Sequence, residues 1–135
     1  MAFSRDTICV NAFIRMYKRG GYMTDIFKAL SDETRLRILA LIWDDEKCVC
    51  EIEDCLSLTQ SNASRHLTAL KNAGLLSCYK HAQWAYYKLG DEFRQNNAAL
   101  MDYLAVKLRT LPGYEADMKK AKECKDRDLC GNNNK

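Results

Sequence analysis

Three thiols crowd into the stretch KCVCEIEDC, from Lys47 to Cys55. Cys48, Cys50 and Cys55 are open to three kinds of chemistry: burial as small apolar groups, a disulfide, or service as soft ligands. Cys48 and Cys50 frame a single residue at the start of a predicted helix, beside Lys47. A helix N-terminus and a cationic neighbour lower a thiol's pKa, and thiolates select soft ions over calcium or magnesium. The ligand reading is therefore preferred for this pair. Cys55 fails a distance test. In a helix it lies on the same face as Cys48 but about 10 Å further along the axis, whereas sulfurs sharing an ion at ~2.3 Å stand roughly 4 Å apart or closer. It is read as packed under a turn, and Cys78 as core within a strand. Thiols two residues apart in a helix point to nearly opposite sides, which argues against a disulfide across Cys48 and Cys50.

A second constellation follows at once. Gln60, Ser61, Asn62, Ser64 and Arg65 cluster at the start of a predicted helix, with His66 and Lys71 further along it. Asn and Gln pair bidentately with adenine and Arg with guanine, and Ser contacts phosphates or either base. Lys80, His81 and Gln83 come shortly after.

The elements that must position these groups are legible from periodicity. Residues 5–18 carry apolar positions at near-helical spacing and end at Gly20-Gly21; a short helix follows over Thr24 to Leu30. Ser31 is a plausible N-cap for a helix over about 33–43, whose core face is Leu36, Leu39, Ala40 and Trp43. Val49, Ile52 and Leu56 suit a short helix, 49–56. A tight turn leads to a helix over 60–73 capped by Thr59 or Ser61, with Ala63, Leu67 and Leu70 inward and Gly74 as its stop. LLSCYK and WAYYKL read as a hairpin. One long helix spans about Asp91 to Leu111 on a stripe of Phe93, Asn97, Leu100, Met101, Leu104 and Leu108, and Pro112-Gly113 ends it. The polar remainder reads as a frayed helix and then disorder. The expected fold is mainly α with a small β-hairpin, the order of a winged helix-turn-helix. Three regions result: an N-terminal helical segment 1–22, the winged helix-turn-helix over 23–111, and a polar C-terminal tail 112–135.

The chain has 135 residues, 29% charged and 47% hydrophobic, enough for one domain with its own core. No apolar run approaches the ~20 residues of a membrane span, and no small-residue cleavage site follows the N-terminal apolar pieces. The chain is read as cytosolic, where its seven cysteines stay reduced. The net charge of +3 says less than the gathering of Arg65, His66, Lys71, Lys80, His81 and Lys88 in one segment. No phosphate-cradling Gly-rich loop, Cys-x-x-Cys or Ser/His/Asp arrangement points to an enzyme.

In order and spacing, FKALSDETRLRILALI, KCVCEIED, LTQSNASRHLTALKNAGLL and WAYYKL resemble the successive signatures of the ArsR/SmtB family of metal-sensing repressors over about residues 24–110. The resemblance implies a homodimer built through its first and last helices that occupies operator DNA until an ion binds. It implies that Cys48 and Cys50 are the soft-ion pair, with arsenite or antimonite as inducer and cadmium or lead as alternatives. The family's other site type, on the last helix, needs Asp and His ligands; the two histidines here are His66 and His81, so a zinc site of that kind is not expected. Family members place a third nearby cysteine three residues after the second, where this chain has Glu53. Some complete the pair with an N-terminal cysteine, which points to Cys9. Cys124 and Cys130 rank behind it, because ordering a tail costs roughly 1–2 kcal/mol per residue. The wing departs from the usual basic tip with Lys80-His81-Ala82-Gln83. A redox-sensing repressor on the same fold is the rival from another class.

Overall fold

Asp32 starts the helix that anchors the core. Its side chain accepts from the Arg35 amide at 3.0 Å, filling one of the orphan donors of the first turn. In the computed structural model, which describes residues 22–127, this helix is the second: α1 covers Tyr22–Leu30 and α2 covers Glu33–Ile42. The N-cap is thus Asp32, one residue after the expected Ser31. Then come strand β1 (Lys47–Cys48), α3 (Val49–Leu56), α4 (Gln60–Asn72), β2 (Leu76–His81), β3 (Trp84–Leu89), α5 (Asp91–Asn96), α6 (Ala98–Lys107), a 3₁₀ turn (Leu108–Thr110) and α7 (Tyr114–Arg127).

The core forms where these helices meet. Ile38, Leu39 and Ile42 of α2 pack with Ile52 of α3, Leu67 and Leu70 of α4, and Phe93 of α5, all essentially excluded from water. Each such side chain contributes roughly 1.5–3 kcal/mol on burial. Ser57, in the left-handed region (φ 54°), ends α3 and turns the chain into α4, which Thr59 caps by accepting from the Asn62 amide at 3.2 Å. Gly74 (φ 86°) stops α4 as expected. Gly90 is glycine for a different reason: a Cβ there would meet the Gly74 carbonyl oxygen at 2.7 Å. With the hairpin after α4, the domain is a winged helix-turn-helix.

Three features depart from the sequence reading. The hairpin is not alone, because β1 adds a third, antiparallel strand in the order β1-β3-β2, pairing Lys47 with Tyr87 and Cys48 with Tyr86. The single long helix over 91–111 is broken at Asn97 (φ −132°, ψ 47°), whose backbone and side-chain amides both donate to the Phe93 carbonyl at 3.0 Å. Finally, the polar segment after Gly113, read as frayed, forms the fourteen-residue α7. Arg37 explains why it stays seated. Its guanidinium donates to both oxygens of the buried Asp117 carboxylate, Nε and Nη2 each at 2.8 Å. That partnership raises the Arg37 pKa against the opposing effect of burial. Cys9 and Cys130 lie outside the described residues.

Candidate thiol site and nucleic-acid interface

Cys48 ends β1 with extended backbone (φ −74°, ψ 151°) and serves as N-cap of α3, so it is not inside the helix. Its amide donates to Glu51 Oε1 at 2.8 Å, which fixes the first turn. Cys50 is one residue into the helix. The change of backbone direction between them brings the two sulfurs to 2.8 Å. The expectation that these thiols point to opposite sides is therefore overturned, because it assumed one helix for both. Cys48 is fully buried and Cys50 half-buried. Both pack with Tyr86 and Trp84 of β3 in a small cluster separate from the main core. Lys47 is buried beside them and reaches Asp45 at 3.4 Å.

This thiol pair touches both the wing and the helix-turn-helix. Cys48 pairs through its backbone with Tyr86, and the Tyr86 ring stacks on Tyr79 of β2 with centroids 5.4 Å apart. Tyr79 in turn donates a short hydrogen bond to Glu46, in the loop before β1, and that bond raises its pKa to about 12. The same two thiols open α3, the first helix of the helix-turn-helix. The sequence reading put Tyr86 and Trp84 in the hairpin but not beside the thiols, because the two-residue β1 that brings them together leaves no alternation to detect.

Helix α4 presents its polar face outward. Gln60, Ser61, Ser64, Arg65 and Lys71 are exposed, and Asn62 is half-buried. Ser61, Ser64 and Arg65 fall on one stripe by the three- and four-residue spacing of a helix. The inward stripe is Ala63, Leu67 and Leu70. Arg65 Nη2 donates to Asn62 Oδ1 at 3.0 Å, which orders the guanidinium at the outer end of the helix. Lys80, His81 and Gln83 are exposed at the tip of the hairpin, where Ala82 takes a positive φ of 57°. His66 stands apart from this set. Its ring is mostly buried against α2, where Nδ1 accepts from Arg35 Nε at 3.4 Å and lies 3.9 Å from Asp32.

Cys55 is buried in α3 near its C-terminal turn, but it is not isolated. Its sulfur lies 3.4 Å from that of Cys124 on α7, and Cys124 donates to Asp54 Oδ2 at 2.9 Å. Burial first, and then the hydrogen bond with Cys124, push the Cys55 thiol up to about 12. This grouping was invisible in the sequence because it depends on α7 folding back. Cys78 is half-buried in β2. Among the described residues, no group of three or more His, Cys, Asp and Glu side chains is arranged to hold a metal ion.

Besides Tyr79 (41%), the exposed large apolar side chains among the described residues are Met23 and Phe27 of α1, at 67% and 53%, and Tyr103 and Val106 of α6, at 59% and 65%. Between α1 and the α5–α6 junction runs a groove of about 390 Å³ lined by Met23, Ile26, Phe27, Asn97 and Leu100 among others.

Comparison with known proteins places these features in a common frame. Residues 32–77 match the model of the family described as bacterial regulatory protein, arsR family. The chain is 43% identical over 83 residues to the arsenic resistance transcriptional regulator ArsR1 of Pseudomonas putida, covering 56% of this chain and 65% of that one. It is 41% identical over 68 residues to a cadmium resistance regulatory protein CadC homolog of Staphylococcus aureus, covering 50% and 56%. With the arsenical resistance operon repressor of Escherichia coli it shares 38% over 78 residues, covering 57% and 67%. The chain thus spans only about three fifths of the length of the first two of these relatives. Among solved structures, the homodimeric winged helix-turn-helix DNA-binding domain Mb0332 of Mycobacterium bovis aligns with a TM-score of 0.57 at 28% identity, covering 67% of this chain and 84% of that one.

Proposed function

The chain belongs to the arsR family of bacterial regulatory proteins, and from that premise we propose that it is a cytoplasmic, homodimeric repressor released from operator DNA when arsenite or antimonite binds Cys48 and Cys50. The observation that carries this reading is the junction at Cys48. There, two adjacent sulfurs sit where the wing strand β3 and the first helix of the helix-turn-helix meet. An ion drawing on these thiolates acts on both elements at once. It displaces Cys48 against Tyr86, and with it the root of the wing, and it tilts the α3–α4 unit relative to its twin. Two half-sites one helical turn apart tolerate little change in dimer geometry. Release requires that the ion favour the DNA-free arrangement, and DNA must then weaken ion binding by the same factor.

Operator contacts fall to Gln60, Ser61, Asn62, Ser64 and Arg65 at the start of α4, with Lys71 on phosphate and Lys80 and Gln83 from the wing. His66 is withdrawn from that list: packed against Arg35 and Asp32, it braces α4 on α2. The exposed Met23, Phe27, Tyr103 and Val106 supply the surface for the second copy. Cys9 is the proposed third ligand, from the segment before α1. No described helix is long and apolar enough to cross a membrane. Cadmium or lead would suit thiolates as well.

Operator binding measured by fluorescence anisotropy tests the reading, across arsenite, antimonite, cadmium, lead, zinc and copper(I). The wild type should release on arsenite, and Cys48→Ser/Cys50→Ser should bind the operator yet stay bound. A double variant that responds at the wild-type concentration removes the pair from the mechanism. The 2.8 Å approach of the sulfurs favours a second reading too, a redox sensor that oxidises the same pair. Mass spectrometry after arsenite and after peroxide separates them, because only an ion sensor gains an arsenic adduct that releases DNA.

A further inference from the structure

Helix α3 carries thiols at both ends. Cys48 and Cys50 open it, and Cys55 closes it against Cys124 of α7. We propose that Cys55 and Cys124 form a second site for trivalent arsenic, one that bridges α7 to the helix-turn-helix unit. This rests on the arsenical reading above only for the identity of the ligand; the geometry stands by itself. Two sulfurs bound to one centre at ~2.3 Å, with an angle of roughly 95–110° between the bonds, stand about 3.4–3.8 Å apart. The observed 3.4 Å lies at the short end of that range.

The surroundings choose the ligand class. Both thiols are buried, at 2% and 1% exposure, and Cys55 holds its proton tightly. A divalent cation would have to expel both protons and leave its charge in a poorly solvated place. A trivalent arsenic hydroxide brings its own acceptors. With phenylarsine oxide, hydrated as C6H5As(OH)2, two As–S bonds form while two As–O and two S–H bonds break. Two waters leave, arsenic stays trivalent, and the adduct is neutral. Asp54 Oδ2, already accepting from Cys124 at 2.9 Å, is placed to take that proton and pass it to the departing hydroxide. The Arg37–Asp117 pair holds α7 in the register that delivers Cys124. Entry requires α7 to lift from α3, so an adduct once formed staples the two together.

The test uses the full chain carrying Cys48→Ser and Cys50→Ser, with phenylarsine oxide as probe. Native mass spectrometry should show an adduct that consumes two thiols, and digestion should recover arsenic bridging the peptides that contain Cys55 and Cys124. Adding Cys55→Ala or Cys124→Ala should abolish that adduct, whereas adding Cys9→Ser and Cys130→Ser should not. Amide exchange across 114–127 should slow by at least about tenfold when the probe binds. Absence of any two-thiol adduct, or a bridge to other cysteines, overturns the site. The peptide bridge is read in the parent protein, so it decides even if an alanine variant misfolds. Operator release by arsenite reports separately: if Cys48→Ser/Cys50→Ser still releases like wild type, the sensing reading fails while the bridge is judged on its own result.

Discussion

Replacing Arg37 with Ala removes the only described side chain that holds Asp117 by an ion pair, and the cost can be worked from the contact itself. Two charge-assisted hydrogen bonds at 2.8 Å are lost together. Bonds to charged groups contribute about 1.5–3 kcal/mol each, and breaking a fully buried pair from one side costs about 3–5 kcal/mol. The Asp117 side chain is 6% exposed, which argues for the upper figure, but the Arg37 side chain is 28% exposed and partly screened. The loss expected is about 2–3 kcal/mol. Urea unfolding at fixed protein concentration measures it. Asp117→Asn and the double variant complete a cycle whose coupling should be about 0.5–3 kcal/mol. Amide exchange in α7 should rise in Arg37→Ala more than exchange in α2. A loss below about 0.5 kcal/mol, the level of a surface pair, would show that α7 is not held this way.

Arg65→Ala should weaken operator binding by about 1–3 kcal/mol while leaving the unfolding midpoint unchanged, and wild-type affinity should fall steeply with salt; salt-independent binding in an anisotropy titration would contradict the assignment of this face. Gly90→Ala should destabilise the domain by roughly 1–3 kcal/mol in thermal unfolding, because the added carbon meets the Gly74 carbonyl at 2.7 Å and backbone yields poorly. Cys55 gives a pH dependence of defined sign. Its thiol stays protonated in the folded protein up to about 12, whereas the unfolded chain ionises near its ordinary value of 9.0, so the unfolded state binds fewer protons between these values. This contribution to stability is complete below pH 9 and is lost as pH rises toward 12; Cys55→Ala should show a shallower decline in denaturant midpoint over that window.

The helix-turn-helix was legible because its signals are local. Thr59 caps α4, Ala63, Leu67 and Leu70 face inward, and Gly74 stops the helix, each by a rule that looks only a few residues along the chain. What the sequence hid is long-range. Strand β1 exists because Lys47 and Cys48 meet Tyr87 and Tyr86 some forty residues later, and two residues carry no periodicity. That pairing also set Cys48 outside the helix and turned its sulfur toward Cys50, which the one-helix picture could not anticipate. Helix α7 looked like a solvated tail by composition, yet Arg37 and Cys55, far upstream, hold Asp117 and Cys124. His66, a basic residue among basic residues in the sequence, has its ring mostly buried beside Asp32 and Arg35, a long-range contact of the same kind.

In the proposed mechanism one ion and one operator compete for two arrangements of the same dimer, and their linkage measures that competition most directly. Arsenite affinity should be titrated with free protein and again with protein saturated by operator, and operator affinity with and without saturating arsenite. Arsenite should weaken operator binding by a factor of about 5–150, and operator should weaken arsenite binding by the same factor. Both effects should vanish in Cys48→Ser/Cys50→Ser. Equal arsenite affinity in the free and DNA-bound protein would rule out this competition, whatever the thiols bind.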